Sequence, residues 1–218
     1  MSIASAITSL HEELPSTVKL VAVSKYKPVE DILEAYAAGQ RVFGENRPQE
    51  LAAKAPVLPA DIEWHFIGHL QTNKIKQVLP YAAFIESVDS EHLLTEIDRL
   101  ARASGRTVDI LLEIHIASES TKQGFLSDEA LALARRIGTF PGVRLRGVMG
   151  MATFTDDEQV VRSEFRTLKE VSRQLQAILP GCSEVSMGMS EDWRIAVEEG
   201  TTIVRIGSAI FGKRNYVK

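Results

Sequence analysis

The feature that most constrains the fold is a regular alternation of short apolar segments with longer amphipathic ones along the chain. Short runs rich in Val, Ile and Leu between turn-forming residues indicate buried strands, and apolar residues at helical spacing indicate amphipathic helices. The predicted strands are Val18–Lys25, Arg41–Asn46, Ile62–Gly68, Ala82–Val88, Thr107–Ile116, Val143–Met151, Glu184–Met187 and Thr202–Phe211.

The segments between these strands predict helices whose ends carry capping signals. Pro28 opens the first of them, while Ser90, Ser127 and Ser190 stand at expected N-cap positions. The predicted helices cover residues 28–38, 48–54, 72–79, 91–104, 128–137, 157–179 and 191–199, and a shorter helix precedes Pro15. We predict no helix after the eighth strand, so the N-terminal helix would cover the gap between the last and first strands.

Strands joined by helical crossovers run parallel, and eight such units indicate a closed barrel. We therefore predict an α/β fold, a (β/α)8 TIM barrel, with residues 1–218 forming a single domain. The alternative is an open, doubly wound sheet. It is disfavoured because no glycine-rich dinucleotide-binding fingerprint follows the first strand.

Composition excludes several classes of protein. The 25 Lys and Arg residues and the 29 Asp and Glu residues give a net charge of −4, which does not fit a nucleic-acid-binding surface. No apolar run approaches the length of a membrane-spanning helix, and the N-terminus lacks the basic start of a signal peptide. The single cysteine, Cys182, excludes a disulfide framework within one chain and fits a reducing compartment. We predict a cytoplasmic protein without nucleic-acid or membrane partners.

Lys25 stands where the first strand ends, in the strand-to-helix loop before Pro28. The active sites of such barrels lie at the carboxyl ends of the strands. An amine whose stem lies against an apolar wall loses hydration, which favours the neutral nucleophile that forms Schiff bases. A lysine at a strand end is also commonly an ordinary surface residue, so Lys25 alone does not decide the function.

The eighth strand carries a second candidate, Arg205, in the middle of an apolar run. A buried guanidinium needs an acceptor, which would be either a ligand or a core carboxylate. Gly207 and Ser208 follow Arg205 and would offer backbone N–H groups and a hydroxyl to a phosphate, as the loops after strands seven and eight do in many barrels. Ser190, placed as an N-cap after strand seven, would supply the other half of this phosphate site.

A lysine at one strand end, a buried arginine across the barrel and a phosphate site beside it fit pyridoxal 5′-phosphate (PLP). Lys25 would hold the cofactor as a Schiff base, and Arg205 would face its pyridine nitrogen. The phosphate would be held by Ser190, Gly207 and Ser208.

Three other polar residues have more than one interpretation. Asn46, at the end of strand two, would either bond the 3-oxygen of the cofactor or satisfy loop backbone. His65 lies inside strand three and is expected to be a hydrogen-bonded core histidine. Glu45 is the one carboxylate expected at the strand ends, which gives little support to magnesium-dependent or paired-carboxylate chemistry.

Five stretches of the sequence, in order, resemble a known family. They are Val21-Ala22-Val23-Ser24-Lys25, Phe43-Gly44-Glu45-Asn46-Arg47, the region from Trp64 to Lys74, the region from Ser186 to Asp192, and the region from Val204 to Gly212. With these stretches the chain resembles the YggS/PROSC family of pyridoxal phosphate homeostasis proteins along nearly its whole length. The resemblance implies a barrel like the N-terminal domain of alanine racemase, with PLP bound covalently to Lys25. It also implies a role in vitamin B6 homeostasis without established catalysis.

One stretch departs from the family pattern. His115 stands where we expect the asparagine of the family, although Glu119, Lys122 and Gly124 keep the usual spacing. The contribution of position 115 to the pocket therefore stays open.

The preferred interpretation is a non-catalytic, monomeric PLP-binding protein that buffers the cofactor or delivers it to apo PLP-dependent enzymes. The alternative is a PLP-dependent amino acid racemase or decarboxylase. Such enzymes carry a second, β-rich domain and take a tyrosine or cysteine from a partner subunit. Here the only late tyrosine is Tyr216, in the C-terminal tail, and Cys182 lies before the seventh strand. We therefore expect the second proton carrier of a racemase to be missing. A class I aldolase would need further acid–base groups beside Lys25, which the sequence does not indicate.

Overall fold

The structure is a computed structural model and describes residues 2–118 and 123–212. Its strands are β1 (Lys19–Val23), β2 (Val42–Glu45), β3 (Glu63–Phe66), β4 (Ala82–Val88), β5 (Val108–Glu113), β6 (Val143–Met149), β7 (Glu184–Ser186) and β8 (Ile203–Ile206). They pair in parallel and in sequential order, and β8 pairs with β1 to close the barrel. The predicted (β/α)8 barrel is therefore confirmed.

The helices pack around the outside of the barrel. They are α1 (Ile3–Glu13), α2 (Val29–Ala37), α3 (Pro48–Lys54), α4 (Ile75–Val78), α5 (Glu91–Ala103), α6 (Ser127–Ala134), α7 (Glu158–Ile178), α8 (Trp193–Glu198) and α9 (Ser208–Phe211). The longest, α7, buries Phe165, Leu168 and Leu175 at helical spacing, as an amphipathic helix lying on a sheet should. Ser90 caps α5 as predicted, because its Oγ accepts a hydrogen bond from Leu93 N at 3.3 Å.

The eighth strand is shorter than predicted, and a helix follows it. β8 ends at Ile206, and the backbone N–H groups of Ile210 and Phe211 donate to Gly207 O at 3.0 and 2.9 Å, which forms α9. The prediction of a strand to Phe211 was wrong because a short apolar run does not distinguish a strand from a helical turn. The N-terminal helix α1 contacts both α2 and α9, so it lies over the seam between the first and last strands, as predicted.

Two apolar layers hold the barrel. The larger lies between the helices and the outer face of the strands and includes Phe43, Phe66 and Phe165. A smaller cluster inside the barrel contains Val21, Phe84, Leu111, Met149 and Ile203. Polar side chains, which include His65, Glu86, Ser186 and Arg205, fill much of the remaining interior.

Three residues named in the sequence analysis fall in segments that the structure does not describe. Glu119, Lys122 and Tyr216 lie outside the described residues. Among the residues that are described, no helix combines the length and the apolar character needed to cross a membrane.

Candidate functional site

Lys25 lies two residues beyond β1, at the carboxyl end of the barrel, and is half-buried. Val23 pairs with Gly44, so continuing the register places Lys25 beside Asn46. Tyr26, directly after Lys25, has a φ of 62°, an uncommon conformation for a residue other than glycine. Its backbone N–H donates to Glu50 Oε2 at 2.7 Å. The loop is thus held in an unusual turn that fixes the direction in which Lys25 leaves the strand.

A buried ion cluster lies directly under this loop, and the sequence did not indicate it. Lys54, on α3, donates through Nζ to Glu45 Oε1 at 2.7 Å, to Glu50 Oε2 at 2.8 Å and to Ser24 O at 2.9 Å. Ser24 Oγ also donates to Glu45 Oε1, at 2.7 Å. Burial raises the pKa of Glu45, and Lys54 opposes that rise. The only local signal was the four-residue spacing of Glu50 and Lys54 on one helix.

Asn46 follows β2 at the same end of the barrel and is half-buried. Its Oδ1 atom is buried and has no hydrogen-bond partner among the described residues. Buried polar atoms are nearly always paired in folded proteins, so an acceptor without a partner beside Lys25 is a place where a ligand donor fits.

Ser190, Gly207 and Ser208 do come together, but not as predicted. Ser190 is not the N-cap of α8, because that helix begins at Trp193 and Asp192 precedes it. A turn intervenes, in which Met189 N donates to Asp192 Oδ1 at 2.6 Å. The hydroxyl of Ser190 instead faces β8 and α9, where it accepts from Gly207 N at 3.3 Å and Ala209 N at 3.4 Å. A hydroxyl from one loop and two backbone N–H groups from its neighbour therefore converge at one point.

Arg205 is buried inside the barrel, with 4% of its surface exposed. Its Nη1 donates to Ser186 Oγ at 2.5 Å and its Nη2 donates to Gly150 O at 3.1 Å. Glu86 Oε2 lies 3.8 Å from Nη1, so the alternative of a core carboxylate partner is correct in part. Burial lowers the pKa of Arg205, and the charge of Glu86 opposes this first among its neighbours.

His65 is a hydrogen-bonded core histidine, as predicted. Its Nδ1 is hydrogen-bonded to Glu86 Oε1, and its Nε2 lies 2.9 Å from Glu63 Oε1. Burial alone would lower the pKa of His65, but the bonds to these two carboxylates raise it above its ordinary value. Glu86 itself was missed in the sequence, because an acid inside an apolar strand gives no sign of which strand it faces.

The expectation that Glu45 is the one carboxylate at the strand ends was wrong. Glu113 ends β5, which was predicted to run to Ile116, and it is only 7% exposed. Burial, and then the charge of Asp89, raises the pKa of Glu113 to about 7, against the attraction of Arg205. A carboxyl with such a pKa exchanges protons near neutral pH. His115, two residues on, is half-buried at the same end.

Comparisons with known proteins assign the chain to a family. The sequence profile of the alanine racemase N-terminal domain matches residues 2–215. The pyridoxal phosphate homeostasis protein of Haemophilus influenzae is 39% identical over 206 residues, which cover 92% of this chain and 87% of that protein. The protein of the same name from Aquifex aeolicus is 40% identical over 203 residues, which cover 91% and 88%. The chain belongs to the pyridoxal phosphate homeostasis protein family.

Solved structures agree with this family membership. PipY of Synechococcus elongatus, with PLP bound, is 37% identical and superposes with a TM-score of 0.88 over 97% of this chain and 100% of that one. The alanine racemase of Corynebacterium glutamicum is 15% identical, with a TM-score of 0.77 over 97% of this chain and 61% of that enzyme, and shows the fold alone. The predicted family and the alanine racemase-like barrel are thus confirmed, while the roles of single residues stay predictions.

Proposed function

We propose that this member of the pyridoxal phosphate homeostasis protein family binds PLP covalently through Lys25 and holds it in exchangeable form for other proteins. The observation that carries the proposal is that Lys25, Asn46 and the Ser190–Gly207 contact lie at the carboxyl end of one barrel, with Arg205 buried in its interior. PipY, with a similar fold over nearly the whole chain, binds PLP, which supports the same ligand here.

The residues present fit PLP by their chemistry. A Cβ atom on Gly207 would lie 3.3 Å from Val23 O, so the glycine lets β8 and β1 approach each other closely beside the proposed phosphate site. The N–H groups of Gly207 and Ala209, which donate to Ser190 Oγ in this structure, would donate to phosphate oxygens instead. The hydroxyls of Ser190 and Ser208 would bind the same phosphate. The unpaired Oδ1 of Asn46 would accept a hydrogen bond from the ring hydroxyl.

Lys25 supplies the amine in this arrangement. Lys25 would condense through its neutral amine with the aldehyde of PLP, so that a carbon–nitrogen double bond would replace the carbonyl bond and the oxygen would leave as water. The turn at Tyr26 and the buried cluster of Lys54, Glu45 and Ser24 hold the loop from below. The positive charge of Lys54 is neutralised by two carboxylates, so we assign Lys54 to stabilising the loop.

Arg205 supports a holding role over a catalytic one. Its guanidinium would donate a hydrogen bond to the pyridine nitrogen but would not give up a proton, because arginine side chains stay protonated in proteins. A ring that is not protonated is a weak electron sink, so bond cleavage on a bound amino acid would be slow. We propose on this ground that the protein is not an enzyme.

Apo PLP-dependent enzymes are the proposed recipients of the cofactor, because they bind the aldehyde that this site would protect. We propose that the chain acts as a monomer in the cytoplasm, in agreement with its single buried cysteine.

The test is borohydride reduction of the PLP-loaded protein followed by peptide mass mapping. We expect a pyridoxyl adduct on Lys25 and its loss in Lys25→Ala. Lys27→Ala is the matched control, because Lys27 lies in the same loop but its Nζ donates to Phe211 O at 2.5 Å. An adduct that stays in Lys25→Ala, or one that maps to Lys27 in the wild type, would contradict the assignment.

A further inference from the structure

The barrel interior is unusual because a column of charged residues runs through it. TIM barrels are normally filled by layers of branched apolar side chains. Here Lys19 on β1, Glu63 and His65 on β3, Glu86 on β4 and Arg205 on β8 face inward, alongside the small apolar cluster. His65, Glu86 and Arg205 are buried, and buried charges are costly unless each is paired, so the geometry of this set needs an explanation.

The column is continuous from one end of the barrel to the other. Lys19 Nζ donates to Glu63 Oε1 at 2.8 Å, and His65 Nε2 lies 2.9 Å from the same oxygen. The other ring nitrogen of His65 bonds to Glu86 Oε1. From Glu86 the column of hydrogen bonds continues through Ser186 to Arg205, at the level of the proposed cofactor site.

The two ends of the column differ in exposure. The side chains of Lys19 and Glu63 are 34% and 37% exposed at the amino end of the barrel, whereas those of Glu86 and Arg205 are 0% and 4% exposed. The bond to His65 is the main reason that the pKa of Glu63 falls to about 2, and bonding to His65 also keeps the pKa of Glu86 below its ordinary value. Positive and negative charges therefore alternate along the column.

Ser186 gives the last step of the column a direction. Its Oγ donates to Glu86 Oε2 at 2.5 Å, which uses the one proton of the hydroxyl. Only lone pairs remain for Arg205 Nη1, which donates to the same Oγ at 2.5 Å. Since Nη2 is held by Gly150 O at 3.1 Å, both ends of the guanidinium are fixed by the protein.

We propose that Glu86 and Ser186, supported by His65, are positioning residues that hold Arg205 charged and aimed at the cofactor ring. None of the three would touch the ligand. The column ends in a guanidinium, so it transmits charge and orientation rather than a proton. This inference rests on the proposed function, which assigns Arg205 to the pyridine nitrogen.

The test compares Ser186→Ala and Glu86→Gln with the wild type in PLP affinity and in the absorbance maximum of bound PLP. We expect about a tenfold loss of affinity in both variants, the size expected for one hydrogen bond to a charged group, and a shifted maximum. Ser186→Thr keeps the hydroxyl and should restore both values. Asp98→Asn is the matched control, because Asp98 is a buried carboxylate on α5 that accepts from Gly142 N, outside the barrel interior.

A second measurement uses the ligand-free protein. Arginine-selective ¹⁵N labelling should show separate, slowly exchanging Nη signals for Arg205, assigned by their absence in Arg205→Lys. We expect these signals to merge in Ser186→Ala, which removes a single hydroxyl and so should fold even if Glu86→Gln does not.

The outcomes separate the two proposals. Affinity, absorbance and Nη signals that match those of Asp98→Asn in both variants would overturn the positioning role. A wild-type protein that binds no PLP would contradict the proposed function. Merging of the Nη signals in Ser186→Ala would still show that Ser186, which is bonded to Glu86, restrains the guanidinium of Arg205.

Discussion

At the scale of single residues, Glu113 is a buried carboxylate whose desolvation is offset by few favourable interactions. Its carboxyl makes no side-chain hydrogen bond within the described residues, and its pKa is raised from 4.5 to about 7. A raised folded-state pKa means that the folded protein binds the proton more tightly than the unfolded chain does. The contribution of this carboxyl group to the free energy of unfolding is therefore fully present below pH 4.5 and is lost as the pH rises through about 7.

We predict that Glu113→Gln stabilises the ligand-free protein at pH 8 by roughly 3 kcal/mol and has little effect at pH 4.5, because the amide resembles the neutral acid. Urea unfolding at both pH values measures the free energy of unfolding. Glu12→Gln, an exposed acid on α1, serves as the control. Equal differences in the free energy of unfolding between Glu113→Gln and the wild type at the two pH values would show that burial does not raise the pKa of Glu113.

At the scale of elements, the turn from β8 into α9 connects the phosphate-site residues to β1. A Cβ atom on Gly207 would come within 3.3 Å of both the Cβ and the O of Val23. Gly207 therefore permits the close approach of two strands, and its own N–H points at Ser190. The φ of Gly207 is −119°, so an alanine would be opposed by contact rather than by backbone strain.

We predict that Gly207→Ala weakens PLP binding at least tenfold while destabilising the fold by roughly 1 to 2 kcal/mol, the range for mild overpacking. PLP titration followed by absorbance, together with thermal unfolding, measures the two effects. Gly181→Ala is the control, since a Cβ atom there has nothing within 4 Å. Unchanged affinity in Gly207→Ala would remove this turn from the proposed phosphate site.

At the scale of the whole molecule, the proposed site would hold the cofactor without binding it irreversibly. The groups proposed for the phosphate are neutral donors, and neutral donors hold an anion less tightly than charged ones do. The proposed Schiff base on Lys25 would be reversible with water or with a competing amine. The proposed protein therefore protects a reactive aldehyde and lets it leave.

We predict that the PLP-loaded protein restores the activity of an apo PLP-dependent enzyme within hours. The two proteins are mixed directly in one arm and separated by a dialysis membrane in the other. Retention of all PLP in both arms would contradict the holding-and-release function. Faster recovery on direct contact would indicate docking between the two proteins, and equal rates would indicate a passive buffer.

The sequence by itself determined the parts of this protein that depend on local pattern. The alternation of apolar and amphipathic segments requires parallel strands, and eight such units close into a barrel. Lys25 and Asn46 became candidates because they stand at predicted strand ends, and Arg205 because it is a charge within an apolar strand; their roles stay predictions. The family motifs led to the same ligand.

Only the tertiary structure decided which side chains meet across the barrel. Ser186 and Glu86 are 100 residues apart in sequence, and their bond depends on the register of strands that are not neighbours. The same holds for Ser190, whose hydroxyl turned out to face Gly207 instead of capping a helix. Strand patterning shows that a residue is buried, but the partner that makes a buried charge tolerable is set by packing between distant segments.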